Sequence, residues 1–263
     1  MMTRIGMMMG DPAGIGAELT ARVLAGGAMG VETGVLIVGD PAHWNRGQTA
    51  AGSDVSIEML AGANDVAVAP GAVSLLPQPL DDAENYPYGE SRESGGAYML
   101  DCFRTLLAFY KEERIDAICF APLNKHTLKI GGMSTVDEGD WLEEQLQYKG
   151  HTAELNVIEG LWTSRVTSHV PLRDVADLIT VDGIVDAVAL IDGVLKCAGM
   201  ASPKIMVAGL NPHAGDNGTF GREELDVIGP AVEKAKADGC YVEGPFSPDT
   251  MFLSAKKENF DAI

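Results

Sequence analysis

Two histidines and a lysine lie in short polar loops that directly follow apolar segments: His169 after residues 164–167, His213 after 205–208 and Lys125 after 117–120. Neutral imidazoles on neighbouring loops suit a divalent metal such as zinc, with oxygen ligands to complete the site. No HxxxH or HExxH pairing supports a metal, so each histidine could instead hydrogen-bond a backbone group. The lysine could bind a carboxylate or phosphate, transfer a proton, or remain solvated. His43 and His151, in polar surroundings, are predicted to lie on the surface.

A glycine-rich loop at residues 10–16 (GDPAGIG) precedes a predicted helix. It matches a dinucleotide-binding turn only in part, because Gly14 and Gly16 are followed by Leu19 where a third glycine is expected. Asp40, at the end of the next predicted strand, would fit the acid that binds ribose, although acids are common at that place. The loop could equally be a tight strand-to-helix turn, and the helix N-terminus would still favour an anionic or polar ligand.

Apolar segments that alternate with amphipathic ones must position these loops, and the alternation predicts an α/β fold with a largely parallel sheet. The predicted strands are residues 5–9, 34–38, 117–120, 164–167 and 205–208, and the predicted helices are 17–24, 94–112 and a segment from Leu172 onward. Residues 45–95 are predicted to be the least regular portion, an excursion of strands and loops, and residues 137–148 to form a solvated helix. Because ligands bind at the carboxyl ends of parallel strands, the loops predict a site at one rim of the sheet.

Composition narrows the class of protein. A formal charge of −19 argues against nucleic acid or an anionic membrane as a partner, because both require clustered Lys and Arg. The cysteines are scattered without a CxxC pair, which indicates reduced thiols. No stretch reaches the roughly 18 apolar residues of a membrane span, and the N-terminus lacks the apolar core of a signal peptide. These features predict a cytoplasmic protein.

Five segments, in order along the whole chain, resemble the 4-hydroxythreonine-4-phosphate dehydrogenase family. They are GDPAGIG at 10–16, PLNK at 122–125, SHVPLRD at 168–174, GLNPHAG at 209–215, and GP at 244–245 with PDTMF at 248–252. The resemblance implies an isocitrate/isopropylmalate dehydrogenase-like fold, with two α/β lobes, a cleft between them and a homodimer that helps to build the site. The first lobe is expected at residues 1–125 plus 245–263, and the second at residues 126–244.

The resemblance also implies the chemistry of the site. Three histidines hold a divalent metal in the family, and two of them match His169 and His213; zinc, magnesium, manganese or cobalt is the expected metal. Lys125 and Asp249 match positions that line the substrate site, and we expect them to transfer protons and to bind polar groups of the substrate. NAD or NADP is the expected cofactor. The family's third histidine falls in a Tyr-His-Asp-Gln segment beyond Ile263, so an incomplete metal site is expected here.

One departure from the family bears on the substrate. A Gly-His-Thr-Glu motif is expected near residues 137–140, where this chain has Asp-Glu-Gly-Asp, and the added acid makes a phosphate ligand less favourable. The expected function is NAD(P)-dependent oxidation, with decarboxylation, of a small-molecule hydroxy acid, by default 4-hydroxythreonine 4-phosphate. The alternatives are a paralogue for another hydroxy acid or a cis-dihydrodiol carboxylate, an acyl-phosphate transferase of the same architecture, and an inactive truncated chain.

Overall fold

The chain divides into two compact units, Met1–Lys149 (unit 1) and Gly150–Ile263 (unit 2). The computed structural model describes residues 3–66 and 68–263 of the sequence. Each unit combines strands with helices, which confirms the predicted α/β class. Within the described residues, no helix is long and apolar enough to span a membrane.

A parallel five-stranded sheet forms the centre of unit 1. Its strands are β1 (Thr3–Met8), β2 (Thr33–Gly39), β3 (Glu58–Met59), β4 (Val73–Pro77) and β5 (Ala117–Phe120). They are arranged in the order β3-β4-β2-β1-β5. Strand β2 is buried almost throughout because both faces of the sheet are covered, as is usual for a parallel sheet.

The helices of unit 1 supply those two covering layers. They are α1 (Gly16–Ala25), α2 (Pro41–Ala51), α3 (Glu93–Lys111), α4 (Lys125–Ile130) and α5 (Glu138–Leu146). Alternate side chains of β2 point to opposite faces. Val35 and Ile37 therefore join one buried cluster with Trp44 of α2, whereas Leu36 and Val38 join another with residues of α3.

Two glycines allow α3 and α4 to approach closely. A Cβ atom on Gly96 of α3 would lie 2.0 Å from the carbonyl oxygen of Thr127 in α4, and one on Gly131 would lie 2.2 Å from the backbone of Gly96. Because Lys125 is the first residue of α4, this backbone contact sets the position of the predicted site lysine relative to α3.

Unit 2 is built around a sheet that includes the last residues of the chain. Its strands are β6 (Asn156–Ile158), β7 (Leu161–Thr163), β8 (Ile205–Ala208) and β9 (Val242–Phe246), and its helices are α6 (Val175–Leu178), α7 (Val181–Cys197), α8 (Gly229–Ala237) and α9 (Met251–Lys257). Strands β6 and β7 are antiparallel, and β8 and β9 are parallel. Ala262 bridges both Trp162 of β7 and Ile205 of β8, so residues 261–263 run between these two strands.

That pairing corrects the predicted lobes. Residues 245–263 belong to unit 2 rather than to the first lobe, because β9 pairs with β8 and Ala262 pairs with β7 and β8. Residues 126–149 belong to unit 1, where α5 buries Trp141 in the main core. The predicted solvated helix at 137–148 is therefore half buried.

Two further predictions were wrong. The strand predicted at 164–167 lies at Leu161–Thr163, after a hairpin turn at Gly160. The region predicted to be an excursion of strands and loops does contain β3 and β4, but it begins inside α2, whose polar composition hides a buried face formed by His43, Trp44 and Gly47. His43 is 2% exposed rather than on the surface.

Candidate functional site

The loop that follows β8 presents His213 in a left-handed backbone conformation. His213 and Ala214 have φ values of 56° and 54°, and each such non-glycine residue costs roughly 1–2 kcal/mol. The imidazole itself is largely exposed, with 71% of the side chain accessible. Contacts from the rest of unit 2 must therefore hold this loop, since its own backbone opposes the conformation.

Asp249 supplies one of those contacts. The His213 N–H donates to Asp249 Oδ2 at 3.0 Å, and His213 Nδ1 lies 3.4 Å from the same oxygen. Ser247 Oγ donates to Oδ2 as well, at 2.8 Å. The hydrogen bonds from the His213 N–H and from Ser247 hold the pKa of Asp249 below its ordinary value. The structure thus brings two predicted site residues, from separate segments, into direct contact.

His169 lies in the loop after β7 and also has a left-handed backbone, with φ of 55°. Its Nδ1 is 3.3 Å from Ser168 Oγ. Imidazole donors of this kind suit a divalent metal. Across residues 3–66 and 68–263, however, no group of three or more His, Cys, Asp or Glu side chains is arranged to hold a metal ion. The donor type fits a metal, but these residues do not complete a coordination sphere.

Lys125 lies in unit 1 at the start of α4, where Asn124 caps the helix by accepting from the Thr127 N–H at 3.1 Å. Its Nζ is 3.8 Å from Glu138 Oε2, and about half of the lysine side chain is exposed. That carboxylate oxygen is buried and has no hydrogen-bond donor in the described structure. Glu138 occupies the segment in which the family's Gly-His-Thr-Glu motif was expected, and its charge offsets that of Lys125.

The glycine-rich loop and the loop after β5 meet at the carboxyl ends of neighbouring strands of the unit 1 sheet, as predicted. The loops that carry His169 and His213 belong to the sheet of unit 2, so the prediction of one rim of one sheet for all of these loops was wrong. The Asp11 N–H donates to the Pro122 carbonyl at 3.1 Å, and a Cβ on Gly10 would lie 2.4 Å from that oxygen. A Cβ on Gly16 would lie 2.0 Å from the Met9 carbonyl. These glycines are needed for close packing of the chain, which favours the tight-turn interpretation of the loop over a dinucleotide site.

Asp40 has a structural role that accounts for both carboxylate oxygens. Oδ1 accepts from the Ala42 N–H at 2.8 Å and caps α2, while Oδ2 accepts from the Leu80 N–H at 3.1 Å. The hypothesis that Asp40 binds ribose is therefore not favoured.

His43, which was predicted to lie on the surface, is a buried polar group. Its Nδ1 lies 3.2 Å from the Tyr98 hydroxyl, which itself accepts from the Asp40 N–H at 3.0 Å. The hydroxyl can then donate to a neutral ring. Burial, with the nearby charge of Arg46, lowers the pKa of His43 to about 4. The clue in the sequence was helical spacing: positions 43, 44 and 47 share one face of α2.

Comparison with known proteins identifies the family. The family described as "Pyridoxal phosphate biosynthetic protein PdxA" matches residues 32–263. A relative from Pseudomonas aeruginosa, named "Putative 4-hydroxythreonine-4-phosphate dehydrogenase 2", is 41% identical over 262 residues, which are 99% of this chain and 78% of the relative. The chain belongs to the PdxA family. The dehydrogenase family expected from the five sequence segments is thereby confirmed.

A second relative and a solved structure support the family assignment. A "D-threonate 4-phosphate dehydrogenase" from Pectobacterium atrosepticum is 32% identical over 98% of this chain and 79% of its own length. The crystal structure of 4-hydroxythreonine-4-phosphate dehydrogenase from Klebsiella pneumoniae superposes with a TM-score of 0.84 at 31% identity, covering 99% of this chain and 80% of that one. The isocitrate/isopropylmalate dehydrogenase-like fold expected for the family is confirmed, and the family is one of dehydrogenases.

Proposed function

We propose that this protein is an NAD(P)-dependent dehydrogenase of a phosphorylated hydroxy acid, with 4-hydroxythreonine 4-phosphate as its default substrate. One observation carries the proposal beyond family membership. His213 lies on a loop with a strained backbone and contacts Asp249. The two residues come from separate segments of the family pattern. Such strain is found where a side chain must be presented in one direction.

Asp249 and Lys125 have different proposed roles. Asp249 is ionised at neutral pH, and the hydrogen bonds that lower its pKa stabilise that charge, so its proposed role is to accept a hydrogen bond from a polar group of the substrate. Oxidation of the hydroxyl leaves a ketone β to the carboxylate, and loss of carbon dioxide then follows. Lys125 is the proposed donor that returns a proton to the carbon from which carbon dioxide leaves.

A divalent metal and NAD or NADP are the proposed cofactors. His169 and His213 are the proposed metal ligands, and zinc, manganese, magnesium and cobalt are the candidates. When bound, the metal would polarise the substrate hydroxyl and the nicotinamide would accept hydride. The described residues do not complete a metal site.

The pairing of Lys125 with Glu138 bears on substrate choice. A carboxylate beside the lysine weakens its attraction for a phosphate and offers an acceptor to a hydroxyl or ammonium group. The pairing therefore favours the unphosphorylated alternatives, another hydroxy acid or a cis-dihydrodiol carboxylate. D-threonate 4-phosphate is a further alternative because a relative is named for that substrate. An acyl-phosphate transferase or an inactive chain are the alternatives of other classes.

A homodimer and a cytoplasmic location complete the proposal. Strand β6 lies at an edge of the unit 2 sheet, and Val157 and Ile158 on it are 53% and 65% exposed. Exposed apolar edge strands are surfaces on which chains pair. Sedimentation equilibrium of the parent chain and of a Val157→Lys variant would test this surface, and we expect only the variant to be monomeric.

The experiment that tests the function is a panel of steady-state assays on the purified chain. We would follow NAD⁺ and NADP⁺ reduction with 4-hydroxythreonine 4-phosphate, D-threonate 4-phosphate and their unphosphorylated forms, with each metal and with a chelator. We expect metal-dependent reduction with one of the two phosphorylated substrates. Chelator-insensitive acyl transfer without reduction of either nucleotide would instead support the transferase alternative.

A further inference from the structure

A buried carboxylate lies beneath the loop that carries His213. Glu224 begins a π-helical turn, Glu224–Ile228, and is 4% exposed. Its Oε1 accepts from the backbone N–H groups of Leu210 at 2.8 Å and Asn211 at 2.7 Å, and its Oε2 accepts from Asn211 Nδ2 at 2.9 Å. Three hydrogen bonds thus join one side chain to two successive residues of the loop.

The loop encloses this carboxylate because it has no side chains at two places. A Cβ on Gly209 would lie 3.1 Å from Glu224 Oε1, and a Cβ on Gly215 would lie 2.6 Å from Oε2. Gly215 also has φ of +76°, which favours glycine. The first and last glycines of the GLNPHAG segment are therefore explained by the carboxylate that they surround.

The carboxylate depends on the loop for its charge. Burial opposes ionisation, but the hydrogen bonds from the Asn211 side chain, the Asn211 N–H and the Leu210 N–H outweigh it and lower the pKa of Glu224. No lysine or arginine pairs with Glu224 in the described part of the chain. The loop donors replace a cation, so the loop and the ionised carboxylate stabilise one another.

We infer that Glu224 is a positioning residue that fixes the backbone of residues 210–215 and thereby the direction of the His213 imidazole. Glu224 anchors the loop from below at Leu210 and Asn211, and Asp249 holds it from the other end at the His213 N–H. The run of left-handed residues, 213–217, begins at the second anchor and includes His213 and Ala214. The inference rests on the proposed function of His213, although its structural part does not require activity.

Glu223 provides a matched control. It is the neighbouring acid, and its Oε2 contacts the same amide, Asn211 Nδ2, at 2.7 Å. The structure gives it no bond to the backbone N–H groups of the loop. Glu223→Gln and Glu224→Gln therefore remove the same charge from adjacent positions, but only the second changes the group that accepts the backbone N–H groups. Glutamine at 224 keeps one neutral oxygen for Leu210 and Asn211 and turns an NH2 donor toward Asn211 Nδ2, which weakens the anchor.

The test combines NMR, hydrogen exchange and kinetics on the parent chain and these variants. With Glu224→Gln we expect the His213 ring resonances to shift and the Leu210 and Asn211 amides to exchange at least about tenfold faster. We expect kcat to fall by about 100-fold while KM for the nucleotide is unchanged, because a small misplacement near the reacting atoms is costly. Glu223→Gln should leave all of these within about twofold of the parent.

The inference is overturned if folded Glu224→Gln keeps the parent's His213 resonances and amide exchange, or if Glu223→Gln changes them equally. A parent chain that reduces neither nucleotide would count against the proposed function alone, since the NMR and exchange results remain decisive for Glu224. Glu224→Asp keeps the charge on a shorter side chain and should produce the same changes at smaller size. It replaces the glutamine variant if that variant does not fold.

Discussion

Unit 1 and unit 2 hold their strand-terminal loops by different physical means. In unit 1 the loops after β1 and β5 are joined by backbone contact, for which Gly10 is required, and the buried polar group His43 is neutral. In unit 2 the loop after β8 is held by two ionised carboxylates, Glu224 and Asp249, that accept backbone N–H groups. Close backbone packing joins the loops of unit 1, whereas in unit 2 charge-assisted hydrogen bonds are added to close packing around Gly209 and Gly215.

The two kinds of contact differ in the amino-acid substitutions that they tolerate. A packed glycine contact has no charge to screen or titrate, but it has no room for a methyl group. A carboxylate that accepts several N–H groups is destabilised most by loss of its charge, because the N–H groups then lose a strong acceptor. Substitutions at glycines should therefore be the most damaging kind in unit 1. The loop of unit 2, where Gly209 and Gly215 also leave no room for a Cβ, should in addition be sensitive to substitutions that keep shape and remove charge.

The largest effect is expected for Gly96→Ala. The added Cβ would meet the Thr127 carbonyl and the backbone of Gly131, neither of which can move as a side-chain end would. We expect the free energy of unfolding of unit 1 to fall by about 3 kcal/mol, the upper part of the range for overpacked cores. Urea denaturation followed by the fluorescence of Trp44 and Trp141 would measure it. An unchanged transition would contradict the packing account of unit 1.

The next largest effect is expected on the stability of unit 1 when the pH is lowered. The folded-state pKa of His43 is about 4, below the ordinary 6.5, so the neutral ring is favoured in the folded state. As the pH falls from 6.5 toward 4, the unfolded state binds the proton first and unit 1 loses stability. Between pH 7 and pH 5 we expect a loss of about 2 kcal/mol.

His43→Gln should flatten that pH dependence in urea denaturation, and His151→Gln, at an exposed position, should leave it unchanged. The carboxylate of Glu224 behaves differently, because its pKa is lowered from 4.5. Its contribution to stability is complete above pH 4.5 and is lost only as the pH falls through the lower folded-state value. A slope in the parent that survives His43→Gln would refute the assignment to His43.

Removal of a helix-capping side chain should have a smaller effect on stability, and an equal one in the two units. Asn124 caps α4 in unit 1 by accepting from the Thr127 N–H, and Thr180 caps α7 in unit 2 by accepting from the Gly183 N–H at 3.0 Å. Alanine at either position should cost about 1 kcal/mol of unfolding free energy. A cap worth much more in one unit than in the other would show that the contrast between the units extends beyond the loops.

The smallest effect has the opposite sign. A Cβ on Gly193, inside α7, would meet nothing within 4 Å. Gly193→Ala should therefore stabilise unit 2 by about 0.7 kcal/mol, because alanine loses less conformational freedom in a helix. Thermal unfolding beside Gly96→Ala gives the comparison, and destabilisation by Gly193→Ala would mean that α7 is packed more closely than the structure indicates.

Local patterns predicted those parts of the molecule that depend on local sequence. Strand β8 was predicted at its observed bounds because four apolar residues precede a glycine and proline loop. Helix α2 was missed because its sequence is polar and its buried face includes His43, whose burial depends on Tyr98, 55 residues away. The unit boundary failed for the same reason, since the pairing of Ala262 with Trp162 links positions far apart in the sequence.

The candidate site was predicted from family segments, and its supports were not. His213 and Asp249 stood in recognisable segments, but their contact arises from the fold of unit 2. Glu224 is an ordinary acid in a polar stretch of sequence. Only the structure places its carboxylate under two backbone N–H groups and between two glycines.

We expect the dehydrogenase chemistry of this chain to require His213. The most direct test is the rate of NAD(P)⁺ reduction with saturating 4-hydroxythreonine 4-phosphate or D-threonate 4-phosphate, in the parent chain, His213→Ala and His151→Ala. We expect His213→Ala to lose at least about 100-fold in kcat and the exposed control to retain the parent rate. Equal rates in all three proteins would contradict the account.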